Sequence, residues 1–225
     1  MPQVEQALEK SDAVESKVQE ASEKLTDVNR ALEGEVRERT LVEHQLAEAI
    51  EQKEVAREAA LHDVLTGLPN RALFNDRLEH ALVQAKRHGW GLAVMFIDLD
   101  KFKNINDTHG HYAGDVILRT TAQRLTENAR GGDTVSRHGG DEFLFLLTEV
   151  HDEKTVAKIA AKINQTLQAP CKVSVHGVDL DASVGASVGI AIFPKNGTTA
   201  DILVKSADAA MYHAKQGRSG YSFAP

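Results

Sequence analysis

The chain has 225 residues, with 26 Lys+Arg against 33 Asp+Glu and a formal net charge of −7, which argues against a general nucleic-acid binder. A single cysteine, Cys171, excludes an intrachain disulfide and fits a reducing compartment, so a secreted disulfide scaffold is excluded as well. The opening MPQVEQALEK has no basic stretch followed by an apolar core, and the longest apolar runs fall well short of the ~20 residues that cross a bilayer. No membrane span is expected, and the expected location is cytoplasmic.

The acid is unevenly placed: residues 1–60 carry 15 acidic and 8 basic side chains, and the remaining 165 residues carry 18 of each. The first quarter has no Phe, Trp, Tyr or Cys, one glycine at Gly34 and no proline after Pro2, so it is poorly equipped to build a globular core. From Val4 to about Leu61 it is rich in Glu, Ala, Lys, Gln and Leu, with Val14, Val18, Leu25, Val28 and Leu32 spaced mostly by three, four or seven. The stripe is narrow, as in a two-stranded seam. Between Gly34 and Arg39 two frames overlap, because Leu32, Val36, Leu41 or Val42, Leu46 and Ile50 fit both, and a stutter is expected there. Residues 1–60 therefore predict a helical stalk, ~90 Å long if fully helical. A lone charged helix would leave the stripe wet, so a parallel coiled-coil homodimer is the expectation.

Pro69 and the LTGLPNR stretch mark the change to a domain over 61–225. Ala72 to about Arg87 reads as helix, GLAVMFIDLD (91–100) as a buried strand, and His109 to about Asn128 as a second helix. TVSRH and EFLFLL flank Gly139-Gly140 as a hairpin. A helix from about Asp152 to Leu167 follows, then a strand pair of KVSVHG with ASVGASVGIAIFP, and a last helix across Thr199 to Lys215. The class is α+β, a mixed and mostly antiparallel central sheet covered by helices.

Asp98 and Asp100 lie where the apolar run VMFI ends, and Asp141 and Glu142 lie just beyond the glycine pair. If the hairpin pairs beside the central strand, these carboxylates converge at one edge, and like charges this close need a cation to stay ionised. Oxygen-only ligands select a hard ion, Mg²⁺ or Mn²⁺. The adjacent glycines leave room for a phosphate or ribose to approach the backbone. The chemistry this suits is metal-assisted phosphoryl or nucleotidyl transfer. Surface acids at strand ends beside an ordinary Gly-Gly turn are the bland alternative for any one piece.

Larger blocks of sequence carry a resemblance. His138-Gly139-Gly140-Asp141-Glu142-Phe143 contains the motif that names the GGDEF family of diguanylate cyclases. Asp63 to Arg71 (DVLTGLPNR) resembles that family's Asp-Xaa-Leu-Thr-Gly-Leu-Xaa-Asn-Arg motif. Phe96 to Asp107 is similar to its metal strand and following loop, Gly110 to Asp115 to the start of its next helix, and Ala207 to Lys215 to its C-terminal helix. The five motifs stand in the family's order over about 61–223.

The resemblance implies an enzyme that joins two GTP molecules into cyclic di-GMP with release of two pyrophosphates. Asp98 and Asp141 would ligate Mg²⁺ or Mn²⁺, with the main-chain carbonyl of Leu99 and with Glu142 as a further ligand. Asp141, or a hydroxide on the metal, would help deprotonate the ribose 3′-hydroxyl. Asn106 and Asp115 match the guanine-reading positions, and a carboxylate suits guanine because its ring N–H and amino group are donors. Phe102 and Lys103 would offer backbone amides to the phosphates, Lys103 and Lys215 would add charge, and Gly139 and Gly140 would lie against the nucleotide.

The family usually places two residues between Ala-Lys and Gly-Arg. Here Ala214-Lys215-Gln216-Gly217-Arg218 has one, which puts the reach of Arg218 to a phosphate in question. Arg130-Gly131-Gly132-Asp133 matches the family's Arg-Xaa-Xaa-Asp inhibitory motif for bound product, with Lys158 and Lys162 as candidate basic partners. By the same resemblance each domain holds one GTP, and two must face each other, which gives the stalk its task. Input would come from an upstream sensor or a partner on the helix. The rival reading is a catalytically silent cyclic di-GMP receptor or scaffold, which would show damage at the metal or glycine positions.

Overall fold

The computed structural model describes residues 2–175 and 178–225, and the side chains of 14–173 and 181–225. The chain divides into two units, Met1–Arg57 and Glu58–Pro225. The first unit belongs to one helix, α1 (Pro2–Leu61), which runs unbroken through Gly34 and the region of overlapping frames. Ion pairs such as Lys24–Glu20 at 2.6 Å and Arg39–Glu43 at 2.9 Å decorate it, each contributing only about 0.3–0.5 kcal/mol at such exposed positions. The apolar stripe, from Val14 through Leu32 to Val55, is 52–65% exposed.

Within the second unit Asn70 ends α1 and begins α2 (Arg71–His88). Its backbone N–H donates to the Leu61 carbonyl and its side-chain amide to the Ala60 carbonyl, while its Oδ1 accepts from the amides of Ala72 and Leu73. A five-stranded sheet follows with order β2-β3-β1-β6-β7, formed by β1 (Gly91–Asp100), β2 (Thr134–Gly139), β3 (Glu142–Val150), β6 (Gly185–Phe193) and β7 (Tyr221–Phe223). β1 is the middle strand, antiparallel to β3 and β6, and only β7 runs parallel to its neighbour. The sheet is therefore mixed and mostly antiparallel.

β1 is apolar from Leu92 to Ile97 because both of its faces are covered there. Leu92, Val94 and Phe96 face α2 and α6 (Ala200–Gly217), packing with Phe74, Leu78, Leu203 and Ala207. Ala93, Met95, Ile97 and Leu99 face the other side, with residues of α4 (His111–Glu127) and α5 (Glu153–Gln168). The period of two then continues past the apolar residues and turns Asp98 and Asp100 to the α2/α6 face.

Three local expectations need correction. Residues 102–109 form a short helix, α3 (Phe102–His109), where a loop was expected; only Phe102 is buried in it, so it has no apolar period to read. The three-residue β7 was missed for want of any pattern. The expected pairing of KVSVHG with ASVGASVGIAIFP is replaced by two strands of different fate. β4 (Cys171–Val175) pairs with β5 (Val178–Ala182) in a separate two-stranded sheet, and β6 joins the central sheet. His176 and Gly177 of that expected strand lie outside the described residues.

α6 lies close on β6 because Gly189 has no side chain. A Cβ there would overlap the Ala207 carbonyl oxygen and the Met211 amide. Gly189→Ala should therefore lift α6 from the sheet and destabilise the domain by about 1–3 kcal/mol, an overpacking effect. Urea unfolding checks it, and a midpoint equal to that of the parent chain contradicts it.

Candidate active site

The strand register assembles an acidic edge. Asp98 on β1 stands opposite Glu142 on β3 and Ser187 on β6, and Asp100 stands opposite Gly185. The Lys215 ammonium, brought over by α6, donates to Asp98 Oδ1 at 2.6 Å, and Ser187 Oγ donates to Asp100 Oδ1 at 2.8 Å. Burial is the largest influence on the Asp98 carboxyl and pushes it up; Lys215 pulls it down, and the Asp141 and Asp100 charges add to the rise. Glu142 is pushed up by burial first and then by the charges of Asp98, Asp141 and Asp208. The hydrogen bond to Asp98 in turn raises Lys215 and keeps it an ammonium. The two shifts of the Asp98–Lys215 pair pull in opposite senses, and the 2.6 Å contact decides for an ionised pair.

Among the described residues no group of three or more His, Cys, Asp or Glu side chains is gathered closely enough to hold a metal ion. The chemistry of the donors nevertheless fits a hard divalent cation. Asp98, Asp141 and Glu142 offer only oxygen, the Asp141 charge adds to the rise of both Asp98 and Glu142, and the Lys215 ammonium answers them.

Between β2 and β3 the turn is made by Gly140 (φ 53°) and Asp141, with Gly139 (φ 156°) ending β2 opposite Glu142; both glycines are exposed. No atom lies within 4 Å of where either Cβ would stand, so the outer side of the turn is open. His138, just before it, sits edge-on to Phe96 at 5.3 Å between ring centroids, and burial foremost, with Arg71, lowers its pKa.

The second part of the site is the β1–α3–α4 segment. Lys101 adopts φ 57° and no side chain caps α3; the Asn104 amide donates to the Lys101 carbonyl, which leaves the amides of Phe102 and Lys103 open to an acceptor. Phe102 is buried in the core and anchors that turn. Asn106 on α3 lies against the start of α4, since a Cβ on Gly114 would collide with its Oδ1; the partly buried Asp115 is the next residue.

A hollow of about 450 Å³ beside the acidic edge is lined in part by Asp100, Lys101, Gln168, Ser187, Lys215 and Arg218. Arg218 therefore faces the same hollow as Lys215 despite the shortened spacing. Lys103 is exposed and does not line it, whereas Lys101, which motif reasoning passed over, does. Its position one residue before Phe102 was the available signal.

At the other candidate site, Arg130 and Asp133 close on each other. Asp133, its side chain 2% exposed, accepts from the Arg130 amide at 3.0 Å, from Arg130 Nε at 3.3 Å and from the Thr148 amide at 3.1 Å. Arg130 also donates from Nη2 to the Thr148 carbonyl, yet its side chain remains 62% exposed. A groove beside this turn is lined by Gly131, Gly132, Asp133 and, from α2, by Asp76, Arg77 and His80. Lys158 and Lys162 are on α5, which packs on the opposite face of the sheet, and the structure does not bring them to Arg130. Arg77 is the basic side chain lining the groove, and its place in a plain amphipathic helix gave no signal.

The chain is similar to known proteins. Residues 60–220 match the family model described as diguanylate cyclase, GGDEF domain. Among curated proteins the chain is 48% identical over 165 residues to the bifunctional diguanylate cyclase/cyclic di-GMP phosphodiesterase MucR of Pseudomonas aeruginosa, covering 73% of this chain and 23% of MucR. It thus spans about a quarter of that relative. Among solved structures, the GGDEF domain of TpbB from Pseudomonas aeruginosa superposes with TM-score 0.67 at 41% identity, covering 71% of this chain and 98% of that one. The coiled coil and GGDEF domain of DgcB from Caulobacter crescentus, in complex with c-di-GMP, gives TM-score 0.73 at 28% identity over 86% of this chain and 99% of that one. On the family match and its extent, the chain belongs to the GGDEF-domain diguanylate cyclases.

Proposed function

We propose that the chain condenses two GTP molecules into cyclic di-GMP, with release of two pyrophosphates, at an interface between two copies of its GGDEF domain. The observation that carries this reading is the acidic edge of Asp98, Asp141 and Glu142 beside an open glycine turn and a hollow bearing Lys101, Lys215 and Arg218. Asp98, the Leu99 carbonyl, Asp141 and Glu142 would hold Mg²⁺ or Mn²⁺, which when bound supplies charge neutralisation on the triphosphate. The Lys215 ammonium bonds Asp98 and also lines the hollow, so it can serve a phosphate oxygen as readily as the carboxylate. The open amides at Phe102 and Lys103 receive further phosphate oxygens, and Lys103 adds charge from outside the hollow. Asn106 and Asp115 read guanine, and Asp141 takes the 3′-hydroxyl proton of the other nucleotide as that oxygen attacks the α-phosphorus.

Each domain then holds one nucleotide and the ring closes only when two face each other. The apolar stripe of α1, 52–65% exposed, is suited to a second copy of the same helix, which would hold two domains at high effective concentration. A silent receptor or scaffold is not favoured, because every metal and glycine position is intact. Cyclic di-GMP, bound through Arg130, would act as product inhibitor.

With Mg²⁺ and GTP the chain should yield cyclic di-GMP, identified by mass, and Asp141→Ala should lower the rate by orders of magnitude while leaving the unfolding midpoint nearly unchanged. Near-normal turnover in folded Asp141→Ala protein would sink the assignment.

Arg130→Ala should leave initial turnover nearly intact and weaken inhibition by added cyclic di-GMP. The exposed Arg130 is the better probe, because Asp133 braces the turn itself. Superimposable inhibition curves for mutant and parent reject the site.

A chain beginning near Ala60 should fold, since GGDEF domains matching 71% of this chain stand alone in solved structures. Its activity per protomer should rise steeply with protein concentration, and that of the full chain only weakly. Equal activity of the two at low concentration would remove the helix from catalysis.

A further inference from the structure

Two consecutive glycines carry more backbone freedom than any other pair, yet the Gly139-Gly140 turn has to aim Asp141. The ladder pairing of Gly139 with Glu142 holds one end of the turn, but no side chain packs on it, since neither glycine has an atom within 4 Å of its Cβ position. Gly140 is held by Arg137, three residues before it on β2. Its Nε and Nη2 both donate to the Gly140 carbonyl, at 3.0 and 2.7 Å, and its Nη1 donates to both carboxylate oxygens of Asp63, each at 3.1 Å. On the far side of Asp141, the Leu99 amide donates to the Asp141 carbonyl at 3.3 Å. The peptide planes before and after Asp141 are thus each held by one external donor, and its Cβ direction follows from those two planes.

The anchor is itself braced. Asp63 Oδ1 accepts from the Thr66 amide at 2.9 Å and the Thr66 hydroxyl at 2.6 Å, the Asp63 amide donates to the Leu68 carbonyl, and the Arg137 amide donates to the Pro69 carbonyl at 3.0 Å. Arg137 is therefore fixed at its root by a backbone hydrogen bond and at its tip by a carboxylate. Both side chains of the pair are largely buried, 13% and 24% exposed. Burial pushes the Asp63 carboxyl up, but the hydrogen bonds from Thr66 and Arg137 together outweigh it and hold the carboxyl below its ordinary value. Asp63 is accordingly ionised at neutral pH and the pair is intact.

We infer that Arg137, locked by Asp63, is the positioning residue that sets the Gly139-Gly140 turn and through it the direction of the Asp141 carboxylate. The inference deepens the cyclase reading and rests on it for its kinetic consequence, while the claim about the turn stands on geometry alone. Arg137 touches neither nucleotide nor metal in this account; it acts through the Gly140 carbonyl. A lysine in its place keeps one positive charge for Asp63 but cannot reach the carboxylate and the carbonyl with a planar fork. The guanine-reading residues and the lysines are untouched by that change, so the loss should fall on turnover.

The experiment compares the full chain with Arg137→Lys and Asp63→Asn. In Arg137→Lys, kcat for cyclic di-GMP formation should drop about 100-fold, the loss expected of a catalytic group misplaced by about 1 Å, with KM for GTP essentially unchanged. In the protein free of metal and nucleotide, amide hydrogen exchange over residues 139–142 should quicken at least ~10-fold while the cores of β1 and β3 keep their protection. Asp63→Asn retains an oxygen for Thr66 and the guanidinium, so it should show the same two changes at smaller size, and it serves if Arg137→Lys does not fold. Parental kcat together with parental exchange at 139–142 overturns the inference, as does exchange that quickens equally through β1 and β3, which would make the pair a prop for the whole sheet. If the unmodified chain makes no cyclic di-GMP, the cyclase reading fails, and the exchange measurement alone then decides the role of Arg137.

Discussion

Asp98 is 8% exposed on the middle strand of five, and a carboxylate so placed has to be answered by an opposite charge or by strong donors. Much of the site follows from that constraint. Alternation along β1 sends Asp98 to the face covered by α2 and α6, and antiparallel register puts Glu142 beside it. Lys215 reaches it because α6 can lie against Gly189. Asp141 and Asp100 then add charge that one ammonium cannot match. A divalent ion answers two charges and accepts several oxygens, so the edge is better suited to a metal with a triphosphate than to the lysine alone. On the proposed reading the Lys215 ammonium is the internal stand-in for a metal cation at Asp98, and charge balance links the sheet, the last helix and the proposed chemistry.

The same economy applies to the two units. In the domain, apolar groups on both faces of β1 find cover within one chain. In α1 they find none among the described side chains, and the exposed ion pairs along it contribute too little to replace that cover. On the proposed reading a parallel partner helix would bury the stripe and leave the charged flanks in water. On the cyclase reading it also answers the symmetry of the product, whose two linkages need two equivalent sites facing each other. The proposed association would thus meet a packing demand at one end of the chain and a stoichiometric demand at the other.

Most of the sheet was legible because its strands announce themselves. β1 opens on an apolar run from Leu92 to Ile97, and the hairpin has β-branched and apolar residues around a glycine pair. β5 was not legible, since Val178–Ala182 (VDLDA) carries two aspartates in five residues, and the run from Ala182 to Pro194 that was expected to pair with KVSVHG is almost wholly β6. α3 escaped because Asn, Asp and Thr are weak helix formers and one buried residue makes no period. At the site, strand ends and glycines alone gave an acidic edge suited to a hard ion, and the residues for nucleotide and product were named through the family resemblance. Lys101 and Arg77 could not, because a lysine or arginine on a surface carries no signal until the walls of a hollow or groove are known.

The Asp63–Arg137 pair shows most plainly where sequence reading ends. Its members stand 74 residues apart, each inside a motif that already explains itself locally: Asp63 as the first residue of a turn, Arg137 as one more strand residue before the glycines. Their joint role appears only when the freedom of Gly139 and Gly140 is set against what Asp141 has to do. A turn open enough for a nucleotide to approach must lack side chains, and a turn without side chains cannot hold its own shape. Ordering two glycines costs about 1–2 kcal/mol each in backbone entropy. A charged fork with two hydrogen bonds to one carbonyl can offset a cost of that size, because hydrogen bonds from charged groups contribute about 1.5–3 kcal/mol each. Openness toward the ligand and order toward the carboxylate are thereby separated: the glycines supply the first and a buried ion pair beneath them supplies the second.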